Sequence, residues 1–327
     1  MKKNILLLLL ILLVVSCKQP SAKTREVVKV NVPVFNSDSA YKYVKAQVDF
    51  GPRVPNTKEH KLCAAYLSGS LKQYGAVVYE QKMKLMAFDG KSLDAVNIIG
   101  AYNPDAKKRI ALYSHWDCRP FSDQDADKSN FNKPVDGAND GASGVGVLLE
   151  IARQLGQRLP GVGVDIIFFD AEDYGSTENG AELEDTWCLG SQYWSKTPHI
   201  PGYTANYGIL LDMVGAPGAK FYKEQYSVYY AGNIVEKVWK TASSLGFSQY
   251  FMDGNGGGIT DDHLYVNKLA GIPSIDIIHY DPQSEHGFGS YWHTTNDTME
   301  NIDKNTLYAV GTTLMNVIYN EEQTSGK

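Results

Sequence analysis

Three acidic residues directly follow an apolar segment in the middle of the chain. Residues 166–169 are Ile-Ile-Phe-Phe, and Asp170, Glu172 and Asp173 come immediately after them. An apolar run of this length is typical of a strand buried on both faces of a parallel sheet. Ligands bind beyond the carboxyl ends of such strands, so we expect all three carboxylates to project into one crevice. Carboxylates this close repel one another, and a divalent metal ion is the simplest compensation.

Further acids and histidines occur where other strands are predicted to end. They are His115 with Asp117, Asp140, Asp212 and His293. One such residue alone is more often a cap or a turn residue. Together at one edge of a sheet, they form a set of nitrogen and oxygen ligands that suits Zn²⁺, with a neighbouring carboxylate free to act as general base.

Strands and helices are predicted to alternate along the chain and to position these residues. Before the acidic segment, we predict helices from residue 37 and over 57–74, strands over 76–86, 93–101 and 109–115, a helix over 144–155 and a strand over 164–169. After it, we predict strands over 207–214 and 272–278 and helices over 234–245 and 305–320. This order predicts an α/β fold with a mostly parallel central mixed sheet and helices on both faces.

The composition is that of a globular protein with a sizeable core. The chain has 327 residues, of which 43% are hydrophobic and 21% are charged. Its formal net charge of -6, without a basic cluster, argues against a nucleic-acid partner. We predict a single catalytic domain over residues 35–321, because α/β sheets of this size commonly form one domain.

The beginning of the chain has the pattern of an export signal. A charged start precedes an apolar stretch over residues 5–15, which is too short to span a bilayer as a mature helix. The stretch runs into Cys17 in a context that resembles the bacterial lipobox, where the cysteine is acylated. We therefore predict a lipoprotein signal peptide over residues 1–17, a tether over 18–34, and an extracytoplasmic, periplasm-facing protein anchored to a bacterial membrane through Cys17.

Three cysteines are left if Cys17 carries lipid, namely Cys63, Cys118 and Cys188. An odd number allows at most one disulfide in a compartment that permits them. Cys63 lies in a helical pattern and is expected to be a buried apolar residue. Cys118 and Cys188 both follow segments that carry site residues, so a bridge between these two is the pairing we expect, if one forms.

Five short motifs contain most of the candidate site residues. They are Gly-Ala-Asn-Asp-Gly-Ala-Ser-Gly (137–144), Phe-Phe-Asp-Ala-Glu-Asp (168–173), Leu-Asp-Met-Val-Gly-Ala-Pro (211–217), Ile-Thr-Asp-Asp-His (259–263) and Trp-His-Thr-Thr-Asn-Asp (292–297). The set resembles the zinc-dependent glutaminyl-peptide cyclotransferases, or glutaminyl cyclases, which share an α/β fold with the co-catalytic zinc aminopeptidases. The resemblance spans roughly residues 35–321. Three features favour the cyclases over the aminopeptidases: the motif at 211–217, the motif at 259–263, and Trp292 directly before His293.

The resemblance implies one zinc ion and one general acid/base. Asp140, Asp173 and His293 would hold the zinc ion, and Glu172 would move the proton. Asp173 stands where the family usually has a glutamate, so its carboxylate is one methylene shorter and either the metal or the strand end must shift.

Other residues would complete the pocket. The resemblance implies that Asp212 and Asp261 form a hydrogen-bonded acid pair and that Trp292 is a wall. We expect Trp187 and Phe288, with Tyr291, to be further walls.

The implied reaction converts the N-terminal glutamine of peptides or proteins to pyroglutamate and releases ammonia. Zinc would polarise the side-chain amide, Glu172 would carry a proton from the amine to the leaving nitrogen, and Asp212 with Asp261 would steady the developing ammonium. The implied partners are peptide or protein N-termini that bear glutamine.

A two-zinc aminopeptidase is the alternative. His115 and Asp212 would then complete a second metal site with Asp140 as the bridge, and Glu172 would activate a water. Asp261 favours the cyclase, because a carboxylate aimed at Asp212 would share a proton with it and draw it away from a second metal. A third hypothesis, a binding protein without turnover, is disfavoured by the intact Glu172 beside intact ligands.

Overall fold

A computed structural model describes residues 30–178 and 181–321 of the chain. Within these residues, the strands are β1 (Val77–Met86), β2 (Ser92–Tyr102), β3 (Arg109–His115), β4 (Gly163–Phe169), β5 (Thr177–Glu178), β6 (Ala181–Glu182), β7 (Tyr207–Asp212), β8 (Phe221–Lys223), β9 (Phe251–Asn255) and β10 (Ser274–Ile278). The α-helices are α1 (Ser37–Val48), α2 (Lys58–Gln73), α3 (Ala142–Gln157), α4 (Leu189–Lys196), α5 (Gln225–Ser244), α6 (Asp262–Tyr265) and α7 (Lys304–Asn320).

Six of these strands form the central sheet, in the order β1-β2-β4-β3-β7-β10. The four strands β4, β3, β7 and β10 are parallel to one another, whereas β2 pairs antiparallel with β4 and β1 antiparallel with β2. The predicted mostly parallel mixed sheet is therefore confirmed. Because β3, β4 and β7 are parallel and adjacent, their carboxyl ends meet at one edge of the sheet.

Side chains alternate between the two faces of the sheet, as the pleat of a strand requires. Ile98, Ile110 and Ile166 lie on one face and share a core cluster with residues of α1, α2, α3, α5 and α7. Their chain neighbours on the same strands pack on the opposite face, together with Trp194 of α4 and Val266. Helices thus cover both faces, as predicted, and strands and helices both contribute to the apolar core.

Side-chain caps fix where the helices begin. Asn36 accepts a hydrogen bond from the backbone N–H of Ser39, which starts α1 at the predicted residue. Helix α5 begins at Gln225, nine residues before the prediction, because the Glu224 carboxylate accepts from the backbone N–H groups of Tyr226 and Ser227. Helix α4 was not predicted.

The predicted signal peptide, Cys17 and most of the predicted tether lie outside the described residues. In the part of the chain that the structure describes, no helix is both long enough and apolar enough to cross a bilayer.

The expected bridge between Cys118 and Cys188 is wrong. Cys63, Cys118 and Cys188 are all free and buried. The two thiols face different partners: Cys118 Sγ lies 3.5 Å from the carbonyl oxygen of Asp136, and Cys188 Sγ lies 3.3 Å from Glu172 Oε1.

Candidate metal centre

The end of β4 carries Glu172 and Asp173 into a pocket at the sheet edge. Ala171, just before them, has a φ of 52°, which turns the chain sharply out of the strand. The Asp117 carboxylate accepts hydrogen bonds from the backbone N–H groups of Glu172 (3.0 Å) and Asp173 (3.2 Å). Asp117 follows the adjacent strand β3, so the two strand ends hold each other in register.

Asp170 does not join these two residues, contrary to the expectation that all three acids share one crevice. Its carboxylate accepts from the backbone N–H of Val96 at 2.6 Å and contacts His60 Nε2 at 2.9 Å. Asp170 is fully buried on the side of α2. It ties that helix to the sheet, which is a structural role.

The loop that carries Asp140 is held from two directions. Asp297 accepts hydrogen bonds from the backbone N–H groups of Asn139 (2.8 Å) and Asp140 (3.0 Å). On the other side, the buried Arg53 guanidinium donates to the carbonyl oxygens of residues 116, 136 and 137. Gly141 permits the close approach, because a Cβ there would lie 2.4 Å from the carbonyl oxygen of His115.

Asp140, Asp173 and His293 come together as one buried group. Each offers a ligand atom, and these atoms all lie within 4.8 Å of one another. His293 Nε2 is 3.1 Å from Asp173 Oδ1 and 3.7 Å from Asp140 Oδ2. Ligand atoms around a tetrahedral zinc ion are separated by roughly 3.4 Å, so the spacing fits this metal and the shorter side chain of Asp173 suffices.

A buried carboxylate oxygen supports the same assignment. Asp173 Oδ1 accepts no hydrogen bond within residues 30–178 and 181–321, although His293 Nε2 lies 3.1 Å away and the Arg119 guanidinium lies 3.7 Å away. Buried carboxylate oxygens are costly without a partner, and a bound cation would provide one. Asp123 lies 3.7 Å from His293 Nδ1, in position to influence the orientation of the ring.

A second group of potential ligands adjoins the first. His115 Nε2 lies 2.9 Å from Asp140 Oδ1 and 3.3 Å from Asp212 Oδ1. The two oxygens of Asp140 therefore face the two histidines, which is the arrangement expected of a bridging ligand in a two-metal site. The geometry thus accommodates the ligand set of the alternative enzyme as well.

Glu172 lies beside the metal group but outside it. Its Oε1 accepts a hydrogen bond from Cys188 Sγ, and its Oε2 is 3.9 Å from His115 Nδ1. Asp212 and Asp261 line the same pocket. Asp212 Oδ1 contacts His115 Nε2 at 3.3 Å, and the side chain of Asp261 interacts with the carboxyl of Asp276, so the implied hydrogen bond between Asp212 and Asp261 stays a prediction.

Aromatic side chains close the pocket. Trp187, Phe288 and Trp292 line it, as the sequence suggested. The imidazole of His293 stacks with the indoles of both tryptophans, at centroid distances of 5.9 Å for Trp187 and 3.8 Å for Trp292. Tyr291 faces another cavity, and its hydroxyl makes a 2.7 Å hydrogen bond with His279.

Proton affinities at the site are strongly shifted. Burial raises the pKa of Glu172 well above its usual range, and the charges of Asp173 and Asp261 add to the effect, although His115 opposes it. Burial and Asp140 raise the pKa of Asp212 to about 6. Burial and Asp212 raise the pKa of Asp261 to about 7. Carboxyls that titrate near neutrality are suited to proton transfer.

Asp140 behaves differently from these three carboxyls. Burial alone would raise its pKa, but the hydrogen bond and charge of His115 outweigh burial and lower it. A metal ligand must be ionised, so this shift suits Asp140, whereas burial and the charge of Asp140 raise the pKa of the other carboxylate ligand, Asp173, well above its usual range.

Arg119 was missed in the sequence. Its buried guanidinium donates to the carbonyl oxygens of Asp173 (3.0 Å) and Gly175 (3.2 Å), pairs with Asp123, and lies 4.7 Å from the ring centre of Trp187. It therefore holds a candidate ligand and a pocket wall together. Arg119 could have been found in the sequence from its position two residues after Asp117, just beyond a strand that carries site residues.

Comparisons with known proteins agree with this geometry. Residues 97–318 match the sequence profile of peptidase family M28. A glutaminyl cyclase from Bacteroides thetaiotaomicron, solved with N-acetylhistamine, is 58% identical with a TM-score of 0.87, over 89% of this chain and 99% of that chain. A Zn-dependent exopeptidase from Parabacteroides distasonis is 59% identical with a TM-score of 0.87, over 89% of this chain and 100% of that chain.

A curated relative is more distant. The glutaminyl-peptide cyclotransferase of Bos taurus is 27% identical over 247 residues, which are 64% of this chain and 62% of the bovine protein. The chain thus spans less than two thirds of the length of this relative.

Proposed function

The chain belongs to peptidase family M28, and from this premise we propose that it is a zinc-dependent glutaminyl-peptide cyclotransferase. The substrate would be a peptide or protein with an N-terminal glutamine, and the products would be the pyroglutamyl peptide and ammonia. The observation that carries the proposal is a three-ligand metal group with a separate carboxylate beside it, enclosed by aromatic walls. The 58% identity to a bacterial glutaminyl cyclase supports it.

Asp140, Asp173 and His293 would hold one zinc ion per chain. When bound there, zinc supplies a Lewis acid that polarises the side-chain amide carbonyl of the substrate glutamine. Their nitrogen and oxygen atoms form the type of set found in catalytic zinc sites, which keep one position open for substrate.

Glu172 would carry the proton. The substrate amine attacks the side-chain carbonyl carbon, and the Glu172 carboxylate accepts a proton from that amine. Glu172 then returns the proton to the amide nitrogen, the carbon–nitrogen bond breaks, and ammonia leaves as the five-membered lactam closes. The raised pKa of Glu172 helps it to hold the proton between these two transfers.

The remaining pocket residues would orient the substrate. Asp212 and Asp261 line the pocket, and their carboxylates would steady the positive charge that develops on the attacking amine. Trp187, Phe288 and Trp292 restrict the space, which favours the folded-back conformation that the ring closure needs.

Attachment to a membrane is a further part of the proposal. The lipobox-like context of Cys17 supports an acyl anchor, with residues 18–34 as the tether. An anchored enzyme would then act on N-termini outside the cytoplasm.

A two-zinc aminopeptidase is the second candidate, since Asp140 faces both His115 and His293. In that enzyme Glu172 would accept a proton from the attacking water. The aromatic enclosure and the additional carboxylate of Asp261 favour cyclisation over hydrolysis.

One assay separates these functions. The purified zinc-loaded protein is incubated with a glutamine-initiated peptide, and free ammonia and peptide mass are followed. Cyclisation predicts an ammonia signal and an intact peptide lighter by one ammonia. Release of the first residue would instead identify the peptidase, and an unchanged peptide would contradict both enzymes.

A further inference from the structure

A further cluster of potential metal ligands lies beside the candidate metal centre, and it contains sulfur. Glu172, Cys188 and Asp261 each offer one ligand atom, all within 4.8 Å of one another. Cys188 Sγ is 3.3 Å from Glu172 Oε1. A sulfur and an oxygen bound to one tetrahedral zinc ion are roughly 3.6 Å apart, so small side-chain shifts would bring these atoms around an ion.

Asp261 contributes a buried carboxylate. Its Oδ1 accepts a hydrogen bond from the backbone N–H of Asp262 at 2.6 Å. Its Oδ2 accepts no hydrogen bond from an N–H or O–H donor in the described ranges, although the residue is only 3% exposed and its side chain also interacts with the carboxyl of Asp276. A proton or a cation would satisfy this oxygen. Asp261 and Glu172 both line the pocket, and Cys188 is buried beside Glu172.

The backbone holds the thiol toward Glu172. The N–H of Cys188 donates to the carbonyl oxygen of Glu172 at 2.9 Å, and the φ of Cys188 is 55°. Left-handed backbone at a residue other than glycine costs of order 1 kcal/mol, so the surrounding contacts must impose it. The Cys188 thiol consequently contacts the carboxylate, although the residue also packs in a small apolar cluster with Trp187 and Tyr265.

We propose that Glu172, Cys188 and Asp261 form an inhibitory site for a thiophilic divalent cation, such as Cd²⁺ or excess Zn²⁺. The incoming ion replaces the thiol proton, which leaves to solvent, and is held by one thiolate and two carboxylates. Occupation removes Glu172 from proton transfer while the metal centre keeps its own ion. The site does not depend on which reaction the enzyme catalyses, because both candidate reactions require Glu172.

The test is a cadmium titration of the zinc-loaded protein. Cadmium bound to a thiolate gives a sulfur-to-metal charge-transfer absorption in the ultraviolet, whereas Asp140, Asp173 and His293 contain no sulfur. The absorption therefore reports a cysteine-containing site and not displacement of zinc from the metal centre. We expect the absorption to saturate at one cadmium per chain and the rate to fall at least tenfold over the same concentrations.

Cysteine variants identify the thiol. Cys188→Ser should lose the absorption. Half inhibition, defined relative to the rate of the same variant without cadmium, should require at least tenfold more cadmium than in the unmodified protein. The matched control Cys63→Ser, which alters a thiol buried in the main core, should keep both responses. Should Cys188→Ser fail to fold, Asp261→Asn should weaken the absorption titration at least tenfold.

Four results would overturn the proposal. They are no sulfur absorption in the unmodified protein, an absorption that persists in Cys188→Ser, saturation without a fall in rate, and equal cadmium sensitivity of Cys188→Ser and the unmodified protein. Each of these measurements can fail while the glutamine-cyclising activity is present, so the two proposals are tested separately.

Discussion

Replacing Glu172 by glutamine should abolish most of the activity without removing the metal. The carboxylate lies outside the group of Asp140, Asp173 and His293, so zinc binding should be unchanged. Glutamine has the same shape and keeps an oxygen that can accept from Cys188 Sγ, which lies 3.3 Å from Glu172 Oε1. It cannot take the proton from the attacking amine.

The size of the effect follows from the role. A positioned general acid/base contributes about 10²- to 10⁴-fold, or about 3–5 kcal/mol of the barrier. We expect the lower half of this range, because Asp261 offers a second carboxylate within 4.8 Å. Since burial disfavours the charge of Glu172, as its raised pKa indicates, Glu172→Gln should be at least as stable as the unmodified protein.

The assay is kcat/KM for a glutamine-initiated peptide, together with zinc content and the thermal midpoint. Asp173→Asn is the matched control, because it changes the adjacent carboxylate and should lose both zinc and activity. The reasoning is refuted if Glu172→Gln keeps activity within threefold of the unmodified protein, or if it loses zinc as Asp173→Asn does.

Three other perturbations have expected outcomes. Arg53→Ala removes the guanidinium donor from three carbonyl oxygens, two of which it contacts in fully buried positions, so urea unfolding should show a loss of about 3–5 kcal/mol, and a loss below about 1 kcal/mol would contradict this. Burial alone would raise the pKa of Glu224, but the hydrogen bond with His263 and those from two backbone N–H groups lower it to about 2. The ionised Glu224 should therefore add roughly 3 kcal/mol to the free energy of unfolding above about pH 4.3, and this contribution should be lost as the pH falls toward about 2. In Glu224→Gln, the free energy of unfolding should depend less on pH over that interval. The same pH dependence as in the unmodified protein would count against this. Cys17→Ser should move the protein from the membrane to the soluble fraction, whereas retention in the membrane would argue against the anchor.

The sheet and the metal group could be predicted because their signals are local. Strands β3 and β4 each consist of an apolar run that stops at a polar residue, and parallel neighbours place such stops at one edge. Asp173 comes shortly after β4, whereas Asp140 and His293 lie in loops farther from any strand end. Strand direction alone therefore predicted a site at this edge of the sheet, and the resemblance to the glutaminyl cyclases supplied the set of three ligands.

Contacts between distant parts of the chain could not be predicted in this way. Asp170 looks equivalent to Asp173 in the sequence, but the backbone N–H of Val96 and the ring of His60 turn it away from the pocket. The same holds for Asp297, which supports the Asp140 loop from a position 157 residues later in the chain. A local pattern locates a carboxylate at a strand end, but only the folded donors around it determine which way it points.

Anomalous diffraction at the zinc edge from crystals of the active enzyme would test the central claim most directly. We predict a single strong peak within bonding distance of Asp140, Asp173 and His293. A second strong peak between His115 and Asp212, or a single peak that touches fewer than all three of the predicted ligands, would contradict the mechanism proposed for this protein.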